Sequence, residues 1–325
     1  MVRKTLKNWI DDRRIDDAIG TVFSLVADCA FDISKALKAA SIAGDTAAEQ
    51  DVNVQGEVQK KLDVVANDIF LDRGRNSGVL AAMVSEELDD IELVPEAGNA
   101  QLALVFDPLD GSSNLEINGA VGSIFSVLDV GGAGSVTADD VLQAGTRQLA
   151  AGYVLYGPAT LMVLTTGQGV AVFSLDEAQG EFVLVRDGVS IPADSAEFAI
   201  NASRQSQWYA PTRAFIDACI AGKAGPFGKS YNMRWCAAMV ADLHRILTRG
   251  GVFLYPEDEG TKDKGGRLRL LYEANPMAMI VEAAGGAATT GTQRILDVEP
   301  VDLHQRIGII IGSRNEVDRA RRFYE

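Results

Sequence analysis

The sequence predicts a layered α/β fold, and three observations carry that prediction. At 325 residues the chain exceeds the size at which single cores divide, so two subdomains are expected. Its middle third is a run of short apolar segments separated by Gly, Pro and Asp, the pattern of an antiparallel meander. Its last third alternates helical and strand-like segments, which favours helices layered on sheets.

Apolar residues recur at spacings of three and four from Ile15 to Leu37, marking an amphipathic helix. The stretch Ala43 to Glu57 then reads as a loop. A second helical pattern starts near Glu57, which places Asp63 mid-helix, and stops at Gly74 or soon after. The run VLAAMV predicts a strand that emerges at Glu86-Glu87; LALVF predicts another, ending at Asp107, and GSIFSVLDV a third. Between Ala151 and Arg186 the segments GYVLYG, TLMVLTT, GVAVFSL and EFVLVR predict four strands of a second sheet. Beyond them the order is helix (Thr212 to Ala221), helix (Cys236 to Leu247), strand GVFLYP, helix after Asn275, strand RIGIIIGS and a final helix. The weakest boundary lies near Phe198 to Asn201, dividing the chain into 1–198 and 199–325.

Composition narrows the function. A formal charge of -15 argues against nucleic acid, which needs a concentrated basic face. The cysteines Cys29, Cys219 and Cys236 have neither disulfide nor zinc spacing and read as small core residues. The N-terminal residues lack the apolar core of a signal peptide, and no apolar run spans a bilayer, so a cytoplasmic, membrane-free protein is expected. GKAGPFGKS has five residues between Gly222 and Gly228 where a phosphate loop needs four. The two histidines, His244 and His304, have no elbow serine or partner His nearby, which argues against a serine triad and a two-histidine zinc site. No cysteine is followed at the sixth position by Arg, and no complete dinucleotide fingerprint occurs.

One segment stands out. VFDPLDGSSN sets Asp107 and Asp110 three residues apart and follows them with Gly111, Ser112 and Ser113. Asp-Pro-Leu-Asp-Gly is also a β-turn sequence. Yet the two carboxylates and the Leu109 carbonyl together offer oxygen donors suited to magnesium or manganese. The following glycine and serines offer N–H and O–H groups at a helix start, where a phosphate is favoured. Further acids, Asp63, Glu86, Glu87 and Glu273, stand at strand or helix ends where they can converge; the last precedes Asn275-Pro276, a helix-start signature.

Taken together, KKLDVVAND, VSEE, FDPLDGSSN, GGVFLYP and GRLRLLYEANPMA resemble the signature segments of class I fructose-1,6-bisphosphatases, within the wider group of lithium-sensitive, magnesium-dependent sugar and inositol phosphatases. The resemblance runs from about Ile33 to Gly312. It implies a five-layer α/β/α/β/α sandwich with a metal-rich cleft between its subdomains. It implies hydrolysis of the 1-phosphate of fructose 1,6-bisphosphate, in gluconeogenesis or the Calvin cycle. Asp63, Glu86, Asp107, Asp110, Glu273 and the Leu109 carbonyl would hold Mg2+ or Mn2+, and Glu87 with Asp63 would activate water. Ser112 and Ser113 would meet the reacting phosphate, beside Asp110 and Gly111. Asn201, Tyr255 and Arg267 would grip the distal phosphate, with Arg234 reaching in from a neighbouring subunit of a homo-oligomer, a tetramer.

Departures from the family pattern bear on specificity and control. Trp235 and Arg267 stand where relatives usually have Tyr and Lys, which leaves a sedoheptulose-1,7-bisphosphatase or dual enzyme as the alternative reading. An inositol monophosphatase would not need the distal cluster, and a non-catalytic sugar-phosphate binder should have lost an acid. At the region matching the AMP-binding loop of inhibited relatives the chain reads RRIDDAIGTVF, with Asp16 and Asp17 facing the nucleotide phosphate, and Gln101-Leu102 replaces a Lys-Tyr pair. Absence of AMP inhibition is therefore expected. The cysteine-bearing insertion of the light-regulated chloroplast form is missing, so thiol control is not expected.

Overall fold

A computed structural model of the chain describes residues 3–44, 49–52, 58–95, 98, 100–131 and 136–325, with the backbone alone at 49–52 and 58–60. The chain opens with α1 (Leu6–Arg13) and α2 (Asp17–Ala43), then the paired strands β1 (Glu49–Val52) and β2 (Val58–Lys60) and the helix α3 (Lys61–Arg75). Next come β3 (Leu80–Ser85), β4 (Glu92–Leu93), β5 (Leu102–Asp110), β6 (Val121–Asp129) and the single turn α4 (Ala138–Val141). The meander is β7 (Ala150–Tyr156), β8 (Thr160–Thr165), β9 (Ala171–Asp176) and β10 (Glu181–Arg186). The C-terminal part runs β11 (Glu197–Ile200), α5 (Ala210–Ile220), β12 (Asn232–Met233), α6 (Met239–Arg249), β13 (Val252–Tyr255) and β14 (Leu268–Arg269). It ends with α7 (Asn275–Ala283), β15 (Ala287–Thr289), β16 (Arg306–Ile307), β17 (Ile309–Gly312) and α8 (Arg314–Arg321). Among the described residues no helix is long and apolar enough to cross a membrane.

Two sheets organise these elements. The larger has eight strands in the order β10-β9-β8-β7-β6-β5-β3-β4, and the smaller five in the order β12-β11-β13-β17-β15. Helices α1, α2 and α3 cover one face of the larger sheet. On its other face α6 and α7 lie between the two sheets, and α5 and α8 close the outer face of the smaller one. The result is the expected five-layer α/β/α/β/α sandwich. Strand alternation builds each interface: Phe125 joins the core under α2 while Ile124 joins the one under α6 and α7. Phe253 likewise faces α6, and its neighbours Val252 and Leu254 face α5 and α8. Each such buried side chain contributes roughly 1.5–3 kcal/mol.

Several sequence expectations are corrected. The four meander strands do not form a second sheet; β7 pairs antiparallel with β6 and extends the sheet that carries Asp107. β1 lies inside the stretch read as a loop, where the alternation of Val52 and Val54 with polar neighbours was the missed signal. Glu57, read as a helix start, lies outside the described residues. Because β2 occupies Val58–Lys60, α3 begins at Lys61 and Asp63 sits in its first turn rather than at its middle. β5 does not stop at Asp107 but continues to Asp110. α6 starts at Met239 rather than at Cys236, because Ala237 adopts a left-handed conformation with φ 61°. Cys29 and Cys219 are buried as expected, but Cys236 is exposed in that irregular approach. Asn275 does not cap a helix; it is itself helical and continues from a π-helical turn, Leu270–Ala274. The last strand of the larger sheet ends at Arg186 and the smaller sheet begins at Glu197.

Candidate active site

In an ordinary strand, residues three apart point to opposite faces, so Asp107 and Asp110 would diverge. They converge because β5 carries a bulge. Asp107 stands opposite Ile124 and Asp110 opposite Gly122, which leaves Pro108 and Leu109 together facing Ser123. The extra residue restores both carboxylates to one side. Proline, which cannot donate to a ladder, is tolerated here for the same reason. Asp107 Oδ1 accepts from Leu109 N at 2.9 Å, and Asp110 Oδ2 accepts from Val240 N at 2.9 Å, tying the turn to the start of α6.

Glu273 reaches the same point from the π-helical turn. The wider turn displaces its side chain relative to a regular helix, a recurrent feature of functional sites. Its Oε2 accepts from Arg269 N at 2.5 Å. One carboxylate oxygen from each of Asp107, Asp110 and Glu273 lies within 4.8 Å of the others, and all three residues are buried. Asp63 arrives from the first turn of α3, and Glu86 and Glu87 follow the end of β3. Glu86 N donates to Phe106 O at 3.0 Å and Glu87 N to Ser85 Oγ at 3.2 Å, which fixes the acidic pair beside β5.

Gly111 turns the chain away from the acids with φ 76°, and a Cβ there would lie 2.4 Å from the Ala238 Cβ. Only glycine allows this close approach of β5 to α6. Ser112 and Ser113 follow on a 3₁₀ helix, Ser112–Ile117.

A cleft of about 530 Å³ joins these groups to the smaller sheet. Trp235, Phe253 and Tyr255 form an aromatic wall in it, the indole stacked on Phe253 at 5.7 Å and 6°. Asn201 and the exposed Arg267 complete the distal end. Every site residue predicted from sequence lines this cleft except Arg234, which is exposed and donates to the carbonyl of its own neighbour Met233 at 3.2 Å.

Sequence reasoning missed Arg269. It is buried, lines the cleft, and pairs with Glu86 Oε1 at 2.6 Å. Alternation in Leu268-Arg269-Leu270 sends the arginine to the face opposite the two leucines, so the sequence carried no signal that it would be buried against an acid.

The electrostatics follow from crowding. Burial, then the charges of Glu86, Asp110, Glu273 and Glu87, pushes the Asp107 carboxyl well above the usual range. Burial raises Asp110 to about 6 against the opposing hydrogen bond from Val240 N. Burial also raises Glu273 to about 8, although Arg269 pulls it down. Carboxylates packed this tightly resist joint ionisation. An all-oxygen donor set of this charge fits a hard divalent cation, which would relieve that repulsion.

The fold and cleft define a site where buried acids that could hold a metal ion stand beside Gly111, Ser112 and Ser113. The description "Fructose-1-6-bisphosphatase, N-terminal domain" matches residues 9–187 and "Fructose-1-6-bisphosphatase, C-terminal domain" matches residues 191–325. Among solved structures, Leishmania major fructose-1,6-bisphosphatase in its holo form is 34% identical with a TM-score of 0.93, over 99% of both chains. The apo form of that enzyme is 33% identical with a TM-score of 0.87, again over 99% of both chains. The chain belongs to the fructose-1,6-bisphosphatase family.

Proposed function

We propose that this protein hydrolyses the 1-phosphate of fructose 1,6-bisphosphate, using magnesium or manganese held by Asp63, Glu86, Asp107, Asp110, Glu273 and the Leu109 carbonyl. The observation that carries the reading is the convergence of these acids, Ser112 and Ser113 with Asn201, Tyr255 and Arg267 in one cleft. A bound divalent cation would polarise the phosphoryl group and lower the pKa of an attacking water. Glu87, with Asp63, accepts the proton of that water. Ser112 and Ser113 orient the reacting phosphate with their N–H and O–H groups beside Asp110 and Gly111. At the far end Arg267 offers a planar fork of donors to the second phosphate, and Tyr255 a phenolic hydroxyl. The stacked Trp235 walls the sugar side. Arg234 serves the cleft of a neighbouring subunit in a homotetramer of paired dimers.

The test is phosphate release from fructose 1,6-bisphosphate with and without magnesium, with sedoheptulose 1,7-bisphosphate as comparator. Magnesium-dependent turnover with higher kcat/KM on the six-carbon sugar is expected, and Glu87→Gln should lower kcat by about 100-fold or more. No release from fructose 1,6-bisphosphate at any magnesium concentration would overturn the reading.

A further inference from the structure

The bulge that aims Asp107 and Asp110 leaves a problem in the interior. Pro108 and Leu109 share a single facing residue, Ser123, so the ladder has one backbone partner too few at this point. Pro108 has no N–H, and its carbonyl lies inside a sheet where an unpaired acceptor is costly. Ser123 resolves this with its side chain: its Oγ lies 2.8 Å from Pro108 O and 3.0 Å from Tyr156 Oη. A carbonyl can only accept, so the Ser123 hydroxyl spends its proton on Pro108. Tyr156 must then donate to Ser123 Oγ. The hydrogen-bond chain thus has one direction, from the Tyr156 O–H to the Ser123 O–H to the Pro108 carbonyl. Ser123 and Tyr156 are both buried, and burial holds the Tyr156 phenol in its protonated, donating form. The hydroxyls come from β6 and β7, behind the strand that carries the acids.

We propose that Ser123 and Tyr156 are positioning residues for the cation site, acting through the Pro108 carbonyl to hold the bulge that brings Asp107, Asp110 and the Leu109 carbonyl to one side of β5. The inference rests on the metal-assisted reading of the cleft. Removing the Ser123 hydroxyl orphans the carbonyl and the phenol at once. The bulge then relaxes, and the donors separate without the loss of any ligand.

The experiment is titration of the purified, metal-stripped protein with Mn2+ by calorimetry, together with its magnesium activation curve. Ser123→Ala should weaken Mn2+ binding by about tenfold, as loss of the groups that orient metal ligands does elsewhere. Tyr156→Phe, which removes one oxygen and keeps the ring, should weaken it less. Because the tyrosine acts through the serine, the double variant should bind no more weakly than Ser123→Ala alone. Thr212→Ala removes a similarly buried hydroxyl, paired with Tyr324 Oη at 2.8 Å on α5 at the outer face of the smaller sheet, and should leave Mn2+ binding unchanged. Wild-type affinity in a folded Ser123→Ala variant would overturn the proposal, as would equal weakening by Thr212→Ala. Should Ser123→Ala not fold, unchanged binding in Tyr156→Phe overturns it and weakened binding supports it. A wild-type protein that binds no Mn2+ would overturn the metal reading, and this inference with it.

Discussion

At the level of single residues, the acids of the cleft work against the fold when no cation is bound. The folded protein holds Glu273 at about 8 and Asp110 at about 6, against ordinary values of 4.5 and 3.8. Between those limits the folded chain binds more protons than the unfolded one, so stability falls as pH rises. Buried His244 is shifted the opposite way, from 6.5 to about 4, and costs stability only as pH falls below 6.5. The window from pH 8 to 6.5 therefore separates the raised acids from the histidine; besides Glu273 it includes Asp242 on α6, which burial raises to about 7. In that window the melting temperature of metal-stripped protein should rise by a few degrees as pH falls. Glu273→Gln should raise the pH 8 value and flatten the trend, and added Mg2+ should stabilise the wild type at pH 8 more than this variant. A wild-type melting temperature that is flat or falls on acidification over this range would contradict the account. Asp107 and Asp110 were legible in DPLDGSS itself, whereas Asp63, Glu86, Glu87 and Glu273 lie far from it in sequence and were legible only from their places at element ends and the resemblance of their own segments. Arg269 was not, since a lone arginine in an apolar run does not announce which acid neutralises it.

At the level of elements, the start of α2 carries the expectation that AMP does not inhibit. Asp16 Oδ1 accepts from Ala18 N at 2.9 Å and Ile19 N at 3.3 Å, so the donors that a phosphate would seek at a helix N-terminus are already occupied by a carboxylate. A cavity of about 590 Å³ beside it is lined by Asp16, Gln101 and Asp129, which adds a second acid and no cation. AMP at concentrations on the order of 1 mM should therefore leave kcat and KM unchanged, because the site repels a phosphate dianion. Inhibition at micromolar AMP that vanishes in Asp16→Ala would show that the cavity binds nucleotide after all. Elements themselves were unevenly legible. Long periodic helices such as α2 could be read directly, whereas the bulge of β5 and the π-helical turn before α7 could not. Both add a residue to a regular pattern, and that insertion is visible only in the pairing partner or the packed neighbour. They are also the two elements that deliver Asp107, Asp110 and Glu273.

At the level of the whole molecule, the sequence indicated helices and strands in order but not which sheet each strand joins. The meander reads the same whether it forms its own sheet or extends another. The choice is made by the apolar faces of β6 and β7, which are buried on both sides by α2 and by α6 with α7. That arrangement puts the cleft where the two sheets meet and leaves Arg234 exposed beyond the end of β12 rather than inside it. The placement favours service to a second copy of the chain, and subunit mixing tests it. Arg234→Ala should raise KM for fructose 1,6-bisphosphate with a smaller effect on kcat, since it removes a distal phosphate contact. Asp107→Asn should abolish turnover by disabling the cation site. If each cleft uses its own acids and a neighbour's arginine, a hybrid of the two variants contains one cleft with an intact Asp107 and an Arg234 supplied in trans. Dissociating and reassembling the two variants together should then add a component with wild-type KM, roughly a quarter of the wild-type rate for random pairing into dimers, over the high-KM activity of the remaining Arg234→Ala homodimers. Recovery absent from a verified hybrid would mean that Arg234 serves no neighbouring cleft, and that the distal phosphate is held by Asn201, Tyr255 and Arg267 of one chain.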